Sequence, residues 1–238
     1  MSRASLFGDA LRLRANVARH RDDNVACPIC DLRFDAFKDA PNRPGALCWR
    51  CGSHERHRAQ WLLLESRPQL LRDARSLLHF APEWCLRRRL ESIAGLRYVT
   101  ADLDGPGVDL QLDLTQLALP DGAFDLVICS HVLEHVADDT TAMTELRRIT
   151  ASGGGCLVMV PIALDRERTY EDPAIAAPQD REREFLQRDH VRLYAPDIAD
   201  RLRGAGFGVE VVDMHAELGE QAQRYGLLAS DLAFLCRP

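Results

Sequence analysis

The sequence predicts an α/β fold with a mostly parallel sheet, preceded by a small cysteine-organised module. Three observations carry that expectation. After Arg75, short apolar runs alternate with amphipathic helical stretches, which is the pattern of βα units. Before it, four of the eight cysteines stand in two close pairs among prolines and glycines. And 238 residues suffice for one ordinary α/β domain plus an appendage, with a core that needs no disulfides.

Taken in order, residues 1–22 are arginine-rich with apolar side chains at Leu6, Phe7, Leu11, Leu13 and Val17, a helical spacing that predicts a docking helix or an arm. From Cys27 to Cys51 the chain is turn-rich, punctuated by Pro28, Pro41, Pro44 and Gly45. Ser53 is the expected N-cap of a helix running through Trp61-Leu62-Leu63-Leu64 to Pro68. This places a domain division at 66/67: an arm, the cysteine module and a connecting helix in 1–66, and the main domain in 67–238. Strands are expected at Leu77–Phe80, Tyr98–Ala101, Val108–Leu112, Phe124–Ser130 and Cys156–Val160, with helices at Trp84–Ile93 and Thr140–Ile149 between them. The stretch Asp165–Arg188, rich in charge and proline, interrupts the alternation and reads as a lid or insertion at about 165–190. A helix at Pro196–Leu202 and two strands, Phe207–Val212 and Leu232–Cys236, complete the chain.

Charge narrows the function classes. The net charge of −6 argues against a surface devoted wholly to nucleic acid, although residues 1–60 are net positive by four and the remainder net negative by ten. No run of about eighteen apolar residues spans a bilayer, and the N-terminus lacks the apolar core of a secretory signal, so a cytoplasmic protein without membrane association is expected.

Cys27-Pro28-Ile29-Cys30 and Cys48-Trp49-Arg50-Cys51 are pairs with two intervening residues each, separated by seventeen. This spacing lets two knuckles converge on one tetrahedral ion and is the signature of a zinc ribbon, with Cys27, Cys30, Cys48 and Cys51 as ligands. A redox pair is the main competing reading, but one pair would suffice for that. Four thiolates close the coordination shell, so the Zn2+ is expected to be structural, and His54 and His57 to face solvent or a substrate.

The run from Arg97, with LPDGAFDLVICSHVLEHV and the later GGGCLVMVP, closely resembles the core of class I S-adenosylmethionine (SAM)-dependent methyltransferases, of the type 11-like kind. The resemblance covers about Leu77 to the C-terminus. It implies a Rossmann-like seven-stranded sheet with helices on both faces, closed by a reversed hairpin, and SAM as the cofactor. It places Asp102 after the second strand, where a carboxylate accepts hydrogen bonds from ribose hydroxyls, with Asp104 as the alternative. Asp113 and the amide of Leu114 fall where the family holds adenine, and Ser130 and His131 form a pocket wall beside the transferable methyl. Glu134 and His135 follow one turn on, either in the site or on the helix surface.

The first loop departs from the family, which has an acidic residue followed by glycines. Here Leu77-Leu78-His79-Phe80-Ala81-Pro82-Glu83-Trp84 puts His79, Ala81 and Glu83 at those positions, and Glu83 is expected to meet the ammonium of the cofactor. A general base, where the acceptor needs one, is sought among His131 and the residues of the lid and beyond it, Tyr170, Asp189, His190, Arg192 and Tyr194; His190 and Tyr194 are equally readable as lid anchors. The expected acceptor is a small molecule or a glycan. RNA is the alternative, docked by the basic N-terminal module through Arg43, Arg50, Arg56, Arg58 and Trp49, and a non-catalytic scaffold with a vestigial cofactor fold is the third reading.

Overall fold

The computed structural model describes residues 14–41 and 43–238. The apolar pattern from Leu6 to Leu13 lies outside the described residues; residues 14–19, which follow it, are helical. The chain divides into two compact units. The first comprises the described residues up to Ser66 together with Glu83–Arg89 and Met214–Ala229; the second comprises Arg67–Pro82, Leu90–Asp213 and Ser230–Pro238. The sequence reading cuts the chain once, at 66/67, whereas two later segments cluster with the N-terminal residues.

In the first unit, β1 (Val25–Cys27) pairs antiparallel with β2 (Leu32–Phe34), and β3 (Lys38–Ala40) with β4 (Arg43–Leu47). Asp31, at φ 58°, turns the first hairpin and Gly45, at φ 64°, bends the second. The helix Glu55–Ser66 buries nine of its twelve residues, which is why its sequence shows no polar stripe. Its fully buried Arg58 is a hub: Nη1 donates to the carbonyls of Ala46 (3.0 Å) and Ser53 (2.8 Å), Nε to Tyr225 and Nη2 to Gly226, while the guanidinium stacks on Phe37. Gly226, at φ 59°, has no room for a Cβ, which would come within 2.9 Å of both Arg58 and Phe37. Ser53 is not the helix cap. Its hydroxyl stands 3.3 Å from the sulfurs of both Cys27 and Cys51, so the cysteine cluster has claimed the group that the helix terminus would use.

The second unit is built on a seven-stranded sheet. Its strands are β5 (Ser76–Phe80), β6 (Arg97–Asp102), β7 (Leu110–Gln111), β8 (Phe124–Ser130), β9 (Thr150–Met159), β12 (Gly208–Asp213) and β13 (Leu232–Arg237). The order is β12-β13-β9-β8-β5-β6-β7, with the five from β9 to β7 parallel and β12–β13 a reversed hairpin on the β9 edge. This is the Rossmann-like methyltransferase fold. Every residue of β5 is buried, as a central parallel strand covered on both faces must be. The helix Asp139–Ile149 is capped by Asp138, whose carboxylate accepts from the Thr141 amide, and turns Ala142, Met143, Leu146 and Ile149 inward.

Two strand boundaries differ from expectation. β7 is shorter than Val108–Leu112 because the Asp109 carboxylate turns aside to the amide and hydroxyl of Thr100. β9 begins at Thr150, six residues early, because the glycine run continues the strand. A Cβ on Gly154 would lie 2.3 Å from the Asp125 carbonyl, so glycine there permits the close approach of β8. Within the insertion, β10 (Tyr170–Glu171) pairs with β11 (Arg192–Leu193), and a helix, Pro178–Phe185, ends on the fully buried Phe185. No helix among the described residues is long and apolar enough to cross a membrane.

Candidate functional site

The chain runs from β5 outward through β6 and β7, then returns to β8 on the other side of β5. Such a reversal leaves a crevice at the carboxyl ends of the strands, where α/β sheets bind ligands. A cavity of about 560 Å³ opens there. Phe80 and Ala81 line it from the end of β5, Asp102, Leu103 and Asp104 from β6, Leu112, Asp113 and Leu114 from β7, and His131, Val132, His135 and Val136 from beyond β8, with Asp189 from the second half of the unit.

Two non-glycine residues at its rim have left-handed backbone, Ala81 at φ 46° and His131 at φ 55°. Each is held by a backbone bond: the Ala81 amide donates to the Ala101 carbonyl and the His131 amide to the Met159 carbonyl, both at 2.8 Å. The strain amounts to about 1 kcal/mol per residue. Both lie where a strand turns sharply to present backbone to the crevice.

The carboxylates differ in their surroundings. Asp102 Oδ1 accepts from the amides of Asp104 and Gly105, at 3.3 and 3.1 Å. Gly105 makes room for it, since a Cβ there would fall 2.6 Å from the Asp102 carboxyl carbon. Asp113 Oδ1 accepts from both the hydroxyl and the amide of Thr115, at 2.7 and 2.8 Å, and the hydroxyl bond first of all holds its carboxyl below the usual range. Each therefore stands fixed in a turn with a second oxygen uncommitted by these bonds.

Of the residues expected to hold the cofactor, the cavity brings together Ala81, Asp102, Asp113, Leu114 and His131. Ser130 sits just behind, buried, its hydroxyl without a hydrogen-bond partner. Two others go elsewhere. His79 is fully buried in β5, its Nδ1 2.9 Å from the Tyr98 hydroxyl, because an inward position on a central strand has no path to the crevice. Glu83 belongs to the N-terminal unit, where its carboxylate lies 3.5 Å from Nε2 of His57. His57 is itself buried, not solvent-facing: its Nδ1 accepts from the His54 amide at 3.2 Å and stands 3.4 Å from Cys85 Sγ.

The candidate bases separate likewise. Tyr194 is fully buried, and its hydroxyl donates to Asp139 Oδ2 at 2.6 Å; burial pushes the phenol far above its ordinary pKa. Arg201 donates to the same carboxylate oxygen and to Glu171, and Arg192 Nε donates to Glu171 at 2.8 Å. Arg192 also donates to the carbonyls of Leu133, Val136 and Ala137, clamping the turn that follows β8. Tyr194 and Arg192 therefore fasten the insertion. Tyr170 pairs in β10 and packs against Phe185. His190 is buried, its Nδ1 3.0 Å from the Phe185 carbonyl, and desolvation lowers its pKa. Beside it lie His135, with ring centroids 4.8 Å apart, and Glu134, which is 1% exposed and no helix-surface residue. The sequence places Glu134 and His135 after the fourth strand but leaves site and helix surface both open; His190 comes beside them from beyond the insertion, where the Val191 amide donates to the Glu134 carbonyl.

In the N-terminal unit the four sulfurs of Cys27, Cys30, Cys48 and Cys51 lie within 4.8 Å of one another, with Cys27–Cys51 and Cys30–Cys48 at 3.6 Å; all eight cysteines are free thiols. Thiolates about 2.3 Å from a tetrahedral ion are roughly 3.8 Å apart, so the four could hold one. Their mutual hydrogen bonds already divide them electrostatically: bonding to Cys30 lowers Cys27, and the bond to Cys27 raises Cys30. A cation bound among them would let all four ionise together.

Residues 87–158 match the family model described as a methyltransferase domain. Among curated proteins, none matches the chain by sequence. Solved structures share the fold. The [4+2]-cyclase SpnF is 16% identical with a TM-score of 0.53, covering 96% of this chain and 93% of that one. A SAM-dependent methyltransferase from Archaeoglobus fulgidus is 12% identical, TM-score 0.51, covering 76% and 94%. Another, from Mesorhizobium loti, is 16% identical, TM-score 0.50, covering 75% and 96%. The seven-stranded unit therefore has the Rossmann-like methyltransferase fold and carries, in residues 87–158, a methyltransferase-domain sequence match.

Proposed function

We propose that the chain transfers a methyl group from SAM to a small-molecule or glycan acceptor, and that Cys27, Cys30, Cys48 and Cys51 hold a structural Zn2+. The observation that carries the reading is the convergence of Asp102, Asp113 and Leu114 on one cavity at the switch point of the sheet. A shared fold alone is not enough, because SpnF has it and is described as a cyclase. The uncommitted oxygen of Asp102 would accept the ribose hydroxyls, and Asp113 with the Leu114 amide would hold the adenine edge. Bound SAM supplies an electrophilic methyl on a sulfonium. His131 and Asp189, the expected bases that line the cavity, would face the acceptor; proximity supplies much of the remaining rate.

Calorimetry with S-adenosylhomocysteine on the zinc-loaded protein tests this. Saturable binding is expected, weakened about 10- to 100-fold in Asp102→Ala, the size of a lost charge-assisted hydrogen-bond pair. Absence of binding to the intact chain would overturn the reading.

One observation favours RNA as a second acceptor class. A cavity of about 420 Å³ in the N-terminal unit is lined by Arg50, Arg88, Arg89 and Trp84, and Trp84 is 66% exposed with the Arg88 guanidinium over its ring. Of the arginines the sequence suggested, Arg50 lines this cavity, while Arg88 and Arg89 were not among them. Arg58 is committed to backbone carbonyls, and Trp49 stacks on His20. RNA binding that weakens steeply with salt, and is lost when Arg50 and Arg88 are neutralised, would favour it.

A further inference from the structure

We propose that Glu134, His135 and His190 bind a divalent transition-metal cation at the wall of the cavity. Their ligand atoms lie within 4.8 Å of one another. A tetrahedral ion with bonds of about 2.1 Å needs ligands roughly 3.4 Å apart, so side-chain adjustments of about an ångström close the site.

Three features point to a cation. The first is the buried carboxylate. Neither oxygen of Glu134 has a hydrogen-bond partner, and Oε1 merely lies 3.3 Å from His131 Nδ1. An ionised carboxylate taken out of water without compensation costs several kcal/mol, and a cation supplies the compensation. The second is the tautomer of His190. Its Nδ1 donates to the Phe185 carbonyl at 3.0 Å, which leaves Nε2 with the lone pair, buried and without a hydrogen-bond partner. A histidine fixed by a backbone carbonyl through one nitrogen is the form that coordinates metal through the other. The third is His135, whose Nδ1 lies 3.2 Å from Asp189 Oδ2, the carboxylate–histidine arrangement that orients metal ligands.

Two histidines and one carboxylate suit zinc, iron, cobalt or manganese, and three protein ligands leave a coordination position for water or a substrate atom. The insertion explains why the site exists only in the folded chain. The Val191 amide donates to the Glu134 carbonyl at 2.9 Å and Arg192 clamps the same turn, which brings His190 beside Glu134 and His135.

The test is a Co2+ titration of full-length protein whose thiolates are already occupied by zinc. One equivalent should bind with the visible absorption of nitrogen- and oxygen-ligated cobalt and without thiolate charge transfer. His135→Ala, at a half-exposed side chain that tolerates change, and Glu134→Gln, close to isosteric, should each weaken Co2+ at least about tenfold. No uptake by the zinc-loaded protein, or equal uptake by wild type and both variants, overturns the proposal. The absorbance reports on metal alone, so the outcome does not depend on methyl transfer.

Discussion

In the seven-stranded unit the central strands β5 and β8 are apolar and buried along nearly their whole length, and the helices turn regular apolar faces inward. In the N-terminal unit the strands are three to five residues long, and among the deepest side chains are Arg58, Ser53, His57, Cys27 and Cys48. The first is held by area removed from water, the second by groups that are costly to bury unless each finds its partner. A core of the first kind degrades gradually as contacts are removed. One of the second kind fails when a single partner is withdrawn.

The largest expected effect breaks that contrast open. Removing the proposed zinc with a strong chelator, or substituting Cys48→Ser, should unfold the N-terminal unit and spare the sheet. Apparent binding energies of structural zinc run to about 10–16 kcal/mol, more than a unit this small could replace from apolar burial. Hydrogen exchange should rise together over β1 to β4 and Gln221–Tyr225, while β5, β8 and β9 stay protected. Uniform loss of protection would show that the two units share one source of stability.

A smaller effect is expected at Arg58. Arg58→Met keeps most of the volume but takes a donor from four carbonyls, those of Ala46, Ser53, Tyr225 and Gly226, of which Ser53 keeps the Cys48 amide. The cost should be about 3–5 kcal/mol, as for a buried polar hub that loses its centre. Denaturant unfolding followed by Trp49 and Trp61 fluorescence measures it; a change under about 1 kcal/mol would mean that water reaches those carbonyls.

The same contrast explains what could be read from the chain. The sheet was legible because its signals are local and repeated: Leu77–Phe80 and Phe124–Ser130 announce buried strands by composition, and the 142, 143, 146, 149 spacing announces a helix. The cysteine spacing was legible for the same reason. Asp102, Asp113 and His131 came from the family resemblance together with their positions after strands, and the structure brings them to one cavity. Glu83 was not legible, and for Glu134 the sequence left the site and the helix surface both open. Whether a carboxylate near a helix start points at the crevice, at His57 or into a buried cluster is decided by segments far away in the chain. Ser53 shows the limit most simply: serine before a helix reads as a cap, but two thiols compete for the hydroxyl and win.

The smallest expected effect sharpens the contrast from within the sheet unit, where the cavity rim holds two residues in left-handed backbone. Ala81 replaces the glycine that the family resemblance would put in the first loop, yet it keeps the backbone glycine adopts freely, φ 46°. Ala81→Gly removes about 1 kcal/mol of left-handed strain and adds about 0.5–1 kcal/mol of unfolded-state entropy. The two nearly cancel, so the melting temperature should move by no more than about 2–4 °C in either direction. An alanine in ordinary loop backbone would only lose from the exchange. A destabilisation beyond about 1.5 kcal/mol would therefore mean that the methyl group packs against the cavity wall, and that the strain at Ala81 is held in place by contacts as apolar as those of the strands behind it.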